Sequence, residues 1–187
     1  MRLFHFSEDP GIARFVPRAV RVPAERAPGM DWLNGPLVWA IEDDWQAMYL
    51  FPRDCPRILL RATSATTADD RARHLPDGAR WAAHVETAWM DRLHAAAIHR
   101  YELPAQAFER LDDAGMWISR EPVEPLGLET LTDLPAALAA QGAALLPMES
   151  LLPLKDVWST SLHASGIRLR NAAGWLEAQQ PLRAPGR

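Results

Sequence analysis

The apolar runs of this sequence are short, and their length is the strongest limit on what the chain can fold into. The two most apolar runs span residues 37–41, which is the length of one strand, and 134–146, which is rich in alanine and interrupted by Gly142. Neither run approaches the roughly 18 continuous apolar residues that a membrane-spanning helix needs. We therefore expect a core of short elements and no membrane segment.

Strand-like and helix-like segments alternate irregularly along the chain. Strands are predicted at residues 2–6, 37–41, 57–61, 98–103, 116–119 and 123–128, and helices at 43–51, 66–74, 79–96, 134–140 and within 157–176. This order lacks the regular strand–helix–strand spacing of parallel α/β folds. It predicts an α+β fold with a mixed or antiparallel sheet and flanking helices. We expect one globular domain over residues 1–177 and a flexible tail over 178–187, because the tail lacks core-forming residues.

The helix predicted over residues 79–96 has the clearest pattern. Trp81, Val85, Trp89 and Leu93 recur at steps of four, which places them along one face of a helix.

Charge and cysteine content narrow the functional classes. The 187 residues have a formal net charge of −4, and nucleic-acid-binding domains are normally basic, so nucleic acid is not expected as a partner. A single cysteine, Cys55, excludes an internal disulfide and a cysteine-rich zinc site. We expect no metal and, because the N-terminus lacks an apolar signal region, a cytoplasmic location.

Aromatic and arginine residues indicate a small-molecule ligand. The chain has eight tryptophans and nineteen arginines against one lysine, and tryptophan and arginine line sites for planar or anionic groups. Trp39 and Tyr49 flank a predicted strand–turn–helix segment. Either both belong to the core, or Tyr49 presents its ring to a planar ligand.

Two further positions have alternative interpretations. His5 is either a sheet histidine bonded to the backbone or a polar group at the floor of a cleft. Glu121 and Glu124 point to opposite faces if their segment is extended, so at most one of them faces any given cleft. They are either charges on an exposed edge strand, or Glu121 accepts a hydrogen bond from a substrate hydroxyl.

Three stretches resemble known families. LFHFSEDPGIARFVPR, GPLVWAIEDDWQAMYLFPRDCPRILL and MWISREPVEPLGLETLTDLPAAL are similar to a family of uncharacterised bacterial proteins over most of the chain. More distantly, the order of motifs resembles the ADP-ribosyltransferase-like fold. The first motif of that fold, L-aromatic-H-x-S/T, is matched by residues 3–7. Its second strand, of the type aromatic-aromatic-Ala, is matched by residues 38–40, and Tyr49 follows this strand. Its late strand, which opens with a glutamate, is matched by Glu121 or Glu124.

The resemblance implies an NAD-binding enzyme that cleaves the bond between nicotinamide and ribose. His5 would bond the ribose next to adenine, and Tyr49, with Trp39 nearby, would stack on nicotinamide. Glu121 would bond the nicotinamide ribose and stabilise the positive charge of the transition state, so that Glu121 and His5 are the predicted catalytic residues. This sequence has Phe6 where many members have a small residue.

The alternative is a non-enzymatic module on the same scaffold that binds a small molecule or a partner protein. It predicts that His5 and Glu121 do not share a cleft and that Phe6 blocks it. Because one fold can host unrelated functions, fold alone does not choose between the two.

Overall fold

A computed structural model describes residues 1–176 of the protein, and its strands form two sheets. The strands are β1 Leu3–Ser7, β2 Val38–Glu42, β3 Arg57–Arg61, β4 Trp81–Glu86, β5 Ile98–Leu103, β6 Glu109–Arg110, β7 Met116–Ser119, β8 Gly127–Leu131, β9 Ala143–Met148 and β10 His163–Ile167. The α-helices are α1 Ala68–His74, α2 Met90–Ala95 and α3 Leu134–Ala140. Short 3-10 helices span Asp31–Asn34, Asp43–Tyr49, Thr87–Trp89, Ala105–Ala107, Leu152–Ser159 and Leu169–Asn171. The predicted α+β class is confirmed.

The described chain forms two compact units. The first contains Met1–Tyr49 and Ala97–Leu131, and the second contains Leu50–Ala96 and the chain from Thr132 onward. The domain boundaries expected from the sequence, 1–177 and 178–187, remain a prediction, and residues 177–187 lie outside the described residues. No helix within residues 1–176 is long and apolar enough to cross a bilayer.

The first unit is built on an antiparallel sheet of six strands in the order β6-β7-β2-β1-β5-β8. Successive side chains of a strand point to opposite faces, and residues directly opposite each other share a face. Leu3 and His5 therefore lie on one face with Tyr101, which is the partner of His5 on β5. We call this side the histidine face.

The other side of the same sheet is the phenylalanine face, defined by Phe4 and Phe6 of β1. Arg100 of β5 lies on it because Arg100 is opposite Phe6, and Glu129 of β8 follows because it is opposite Arg100. Trp39 of β2 lies on the same face, because Ile41, two residues further along β2, is opposite Phe4.

The second unit is built on a sheet of four strands in the order β10-β3-β4-β9, in which β4 and β9 are parallel. Its core contains Ile58, Leu60 and Ala82 from the sheet, covered by Leu151 and Trp175 among others. This mixed sheet agrees with the mixed or antiparallel pairing expected from the sequence.

The prediction of a single helix over residues 79–96 is wrong. Residues Trp81–Glu86 form strand β4, and only Met90–Ala95 are α-helical. Side chains of a strand return to the same face every two residues, so a step of four residues also keeps them on one face. Trp81 and Val85 therefore fit one face of a strand as well as one face of a helix. Because β4 lies between β3 and β9, both of its faces are largely buried, and the polar alternation that marks an exposed strand is missing.

Two other predicted elements are displaced. The late strand is Gly127–Leu131 and not 123–128; Val123 forms only an isolated bridge with Phe15. The last helix predicted within 157–176 is replaced by β10 between two 3-10 helices, because β10 pairs along its length with the distant β3.

Elements with strong local signals have the expected boundaries. Strands β3 and β5 occupy the residues predicted for them. Asp133 caps α3, its side chain accepting a hydrogen bond from the Ala136 amide at 2.9 Å, and Thr67 caps α1 in the same way through the Asp70 amide.

Candidate functional site

The side chain of His5 is bonded to the backbone of the neighbouring strand. Its Nδ1 lies 2.8 Å from the carbonyl oxygen of Trp39, and its ring centroid lies 4.7 Å from that of Phe15. Since a carbonyl oxygen only accepts hydrogen bonds, Nδ1 is the protonated nitrogen in this contact. His5 therefore takes the arrangement of a backbone-bonded sheet histidine, which is one of its two interpretations.

Tyr49, at the end of the 3-10 helix Asp43–Tyr49, lies over the phenylalanine face. Its ring is nearly parallel to that of Phe6, with 6.1 Å between centroids and 10° between planes. Its hydroxyl donates a 3.5 Å hydrogen bond to the sulfur of Met116. One side of the Tyr49 ring is thus close to Phe6.

Trp39 lies on the same face as Tyr49 and has an unused donor. Its indole Nε1 is buried and has no hydrogen-bond partner among the described residues. The guanidinium carbon of Arg26 lies 5.8 Å from the Trp39 ring centroid, which is within the range of a cation–π contact. A buried N–H without an acceptor costs free energy, so an acceptor brought to this position would be favoured.

Glu121 lies in the bend after β7 and not at the start of a strand. Its amide donates to the Ser119 hydroxyl at 3.2 Å, and that hydroxyl donates back to the Glu121 carbonyl at 3.1 Å. These contacts fix the backbone of Glu121 and leave its residue exposed. Glu124 is exposed as well.

A charged cluster that the sequence did not indicate lies on the phenylalanine face, where β5 meets the edge strand β8. Arg100 donates one hydrogen bond to the side-chain oxygen of Gln46 at 2.6 Å and another to Glu129 at 2.5 Å. Gln46 is fully buried and also bonds Asp43. We call Gln46, Arg100 and Glu129 the arginine cluster.

Two arginines, each paired with a glutamate of the same face, lie against the Phe4 ring on the phenylalanine face. The guanidinium carbons of Arg2 and Arg100 each lie 4.8 Å from the centroid of the Phe4 ring. Arg2 also pairs with Glu102 at 2.8 Å, and this hydrogen bond lowers the pKa of the Glu102 carboxyl group. The side chain of Arg100 is 17% exposed and that of Glu129 is 55% exposed, so the cluster reaches solvent at its Glu129 end.

The sequence contained only part of the signal for this cluster. Strand β5 was predicted, so alternation alone could have placed Arg100 on the face opposite Tyr101. Glu129 lies beyond the predicted end of the late strand at residue 128, and the pairing of this strand with β5 is a long-range contact.

The predicted NAD residues are therefore brought together in part. Trp39 and Tyr49 share the phenylalanine face with Arg100 and Glu129, and these types suit a planar ring, an anion and a ribose hydroxyl. The imidazole of His5 projects from the opposite face of the sheet, and the shared site of His5, Tyr49 and Glu121 stays a prediction.

The fold and this face define a class: an α+β protein with aromatic and charged side chains gathered on one side of a six-stranded sheet. The chain belongs to a family of unknown function, DUF6886, whose model matches residues 4–172. This agrees with the resemblance to an uncharacterised family. No curated protein and no solved structure matches the chain.

Proposed function

We propose that the protein binds a small molecule with a planar ring and an anionic group on the phenylalanine face, and that NAD is this ligand. The observation that supports the proposal is the placement of Trp39 and Tyr49 on the same sheet face as Arg100. Aromatic rings hold a planar heterocycle by stacking, and a guanidinium holds a diphosphate by charge-assisted hydrogen bonds.

The ADP-ribosyltransferase-like reaction belongs to the same proposal. NAD would supply a nicotinamide leaving group on ribose, and a carboxylate near that ribose would stabilise the developing positive charge. Glu129 is the carboxylate next to Arg100 on the phenylalanine face. Glu121 is the carboxylate that the sequence resemblance implies, so the two are tested side by side.

A non-enzymatic binding protein is the second candidate. Two observations favour it: Phe6 is stacked on the Tyr49 ring, and the His5 imidazole is bonded to the Trp39 carbonyl. In this case the phenylalanine face would bind its ligand without breaking a bond. The buried free thiol of Cys55 is compatible with a reducing, cytoplasmic location for either candidate.

Calorimetric titration with NAD and with ADP-ribose tests the binding. We expect saturable binding that is about tenfold weaker in Arg100→Gln, because a charge-assisted hydrogen bond is lost. Arg110→Gln is the matched control: Arg110 is also an ion-paired arginine of this sheet, but it lies on the exposed edge strand β6 and pairs with Glu42 of β2. Absence of binding by both nucleotides would refute the proposal.

Release of nicotinamide from NAD, measured by chromatography, separates the two candidates. An enzyme that uses Glu129 loses release in Glu129→Gln and keeps it in Glu121→Gln, and the reverse result assigns the role to Glu121. Binding without release in the wild-type protein identifies the non-enzymatic candidate.

A further inference from the structure

A cavity in the second unit is lined by residues that the candidate functional site does not use. Its volume is about 390 Å³, within the range of roughly 300–1,000 Å³ that is typical of small-molecule sites. Its apolar lining comes from Leu75 and Pro76 after α1, Leu146 of β9 and Leu154 of the 3-10 helix Leu152–Ser159. These walls suit an apolar body of the size of one aromatic ring or a short acyl chain.

One polar side chain of the sheet lines this apolar cavity. His84 lies on β4 between Ile58 of β3 and Leu146 of β9. Its Nε2 is buried and has no hydrogen-bond partner among the described residues. A buried polar atom of this kind is uncommon in folded proteins, because it loses its bond to water without replacement. A ligand with a polar end at His84 would supply the missing partner.

Two basic side chains line the rim of the cavity. Arg73 and His74 line the cavity from the last turn of α1. Arg73 is exposed and has no ion-pair partner within residues 1–176. The nearby carboxylate of Asp70, on the same helix, is bonded to the hydroxyl and amide of Ser161. An anionic group is therefore the polar end that matches this rim.

A metal ion does not match the same residues. His74 and His84 provide two imidazoles, and no group of three or more histidine, cysteine, aspartate or glutamate side chains that could hold a metal exists in the described part of the chain. The apolar lining next to the two histidines is also unsuited to a hydrated ion.

We propose that this cavity binds a small monocarboxylate with an apolar body, whose carboxylate is bound by Arg73 and His84 and whose body contacts Leu75, Leu146 and Leu154. The site uses only residues of the second unit, whereas the phenylalanine face is built from residues of the first. Binding there is independent of whether the protein binds NAD.

Benzoate is the probe, followed by nuclear magnetic resonance of the histidine ring protons and by calorimetry on the full chain. We expect saturable binding that shifts the signals of His84 and His74. Benzyl alcohol, which lacks the charge, and acetate, which lacks the apolar body, should each bind about tenfold more weakly. Equal binding of benzoate and benzyl alcohol would overturn the proposal, as would absence of saturable benzoate binding.

Substitutions on α1 make the test specific without touching the core. Arg73→Gln should weaken benzoate about tenfold, because it removes one charged donor. Arg71→Gln is the matched control, since Arg71 is an exposed arginine of the same helix that does not line the cavity. Unchanged affinity in Arg73→Gln, or an equal loss in Arg71→Gln, would contradict the proposed contact.

The contact of His84 with the carboxylate is tested separately, through the pKa of its imidazole. A bound carboxylate favours the protonated imidazole, so benzoate should raise the pKa of His84, which burial lowers to about 4 in the free protein. His84→Gln should weaken benzoate, whereas His94→Gln should leave it unchanged because His94 is exposed on α2 and bonds the Met90 carbonyl. A His84 pKa that does not move on saturation would contradict contact with the carboxylate.

Discussion

The Nδ1 of His5 lies 2.8 Å from the carbonyl oxygen of Trp39, at the point where the ladder between their two strands ends. Strands β1 and β2 are paired at Leu3–Glu42 and Phe4–Ile41, whereas the ladder between β1 and β5 continues to Ser7. The imidazole thus bonds a carbonyl of β2 beyond the last backbone pair. His5 contributes to the stability of the sheet whether or not it also contacts a ligand.

Replacing His5 tests this structural role. His5→Ala removes the hydrogen bond to Trp39 and the ring contact with Phe15, so the free energy of unfolding should fall by about 1–3 kcal/mol. Urea denaturation followed by tryptophan fluorescence measures the change. His94→Ala, at an exposed helical position, should change stability much less. A His5→Ala protein as stable as the wild type would show that the Trp39 contact contributes nothing.

The sequence predicted those elements whose signals are local. The cap at Asp133 defined the start of α3, and the alternation of Ile98–Leu103 defined β5. It failed where the pattern fits two periods, as for Trp81 and Val85 on β4, because the long-range pairing of β4 with β3 and β9 overrides the helical pattern.

The residues of the candidate site divide in the same way, into those that local sequence predicts and those that depend on strand pairing. Trp39 and Tyr49 were selected from local sequence, and the structure places both on the phenylalanine face. Arg100 and Glu129 meet only because β5 pairs with β8, and a single sequence does not show which strands pair. The local sequence does not indicate that Gln46 is buried, since its burial depends on contacts from distant residues.

Two features require a glycine at position 115: a left-handed backbone conformation and the close approach of the Trp45 side chain. Its φ is +72°, and a Cβ at this position would lie 2.3 Å from Cδ1 of the Trp45 ring. Gly115→Ala should lower the free energy of unfolding by about 2–5 kcal/mol, the sum of left-handed backbone strain and overpacking.

Gly29 is the matched control for Gly115. Its φ is +81°, but a Cβ there would meet no atom within 4 Å. Gly29→Ala should therefore lower the free energy of unfolding by about 1–2 kcal/mol, from left-handed backbone strain alone. Equal losses in the two variants, measured by urea denaturation, would show that the Trp45 contact is unimportant.

Cys55 should be unreactive in the folded protein. It is fully buried, and burial raises the pKa of its thiol from 9.0 to about 11, so the nucleophilic thiolate is scarce at neutral pH. A thiol-specific reagent such as dithionitrobenzoate should label the native protein slowly and the urea-unfolded protein at once. Rapid labelling without urea would contradict the buried position.

The same pKa shift predicts a loss of stability at alkaline pH. Because the folded protein favours the protonated thiol, this contribution is complete below about pH 9 and is lost as the pH rises towards 11. The unfolding free energy of the wild type should fall more steeply across this range than that of Cys55→Ala. Parallel curves for the two proteins would exclude a contribution from this thiol.

His84 should make the second unit sensitive to acid. Burial, with a smaller contribution from the charge of His74, lowers the pKa of its imidazole from 6.5 to about 4. The folded protein thus favours the neutral ring, and this contribution is complete above the unfolded value and is lost as the pH falls from about 6.5 towards 4. Wild-type stability should decline through this range, and the stability of His84→Gln, which cannot take up the proton, should decline less.

Urea unfolding at several pH values measures both curves, and His94→Gln should follow the wild type because His94 is exposed. If His84→Gln loses stability with acid as steeply as the wild type, protonation of this buried imidazole does not drive the loss.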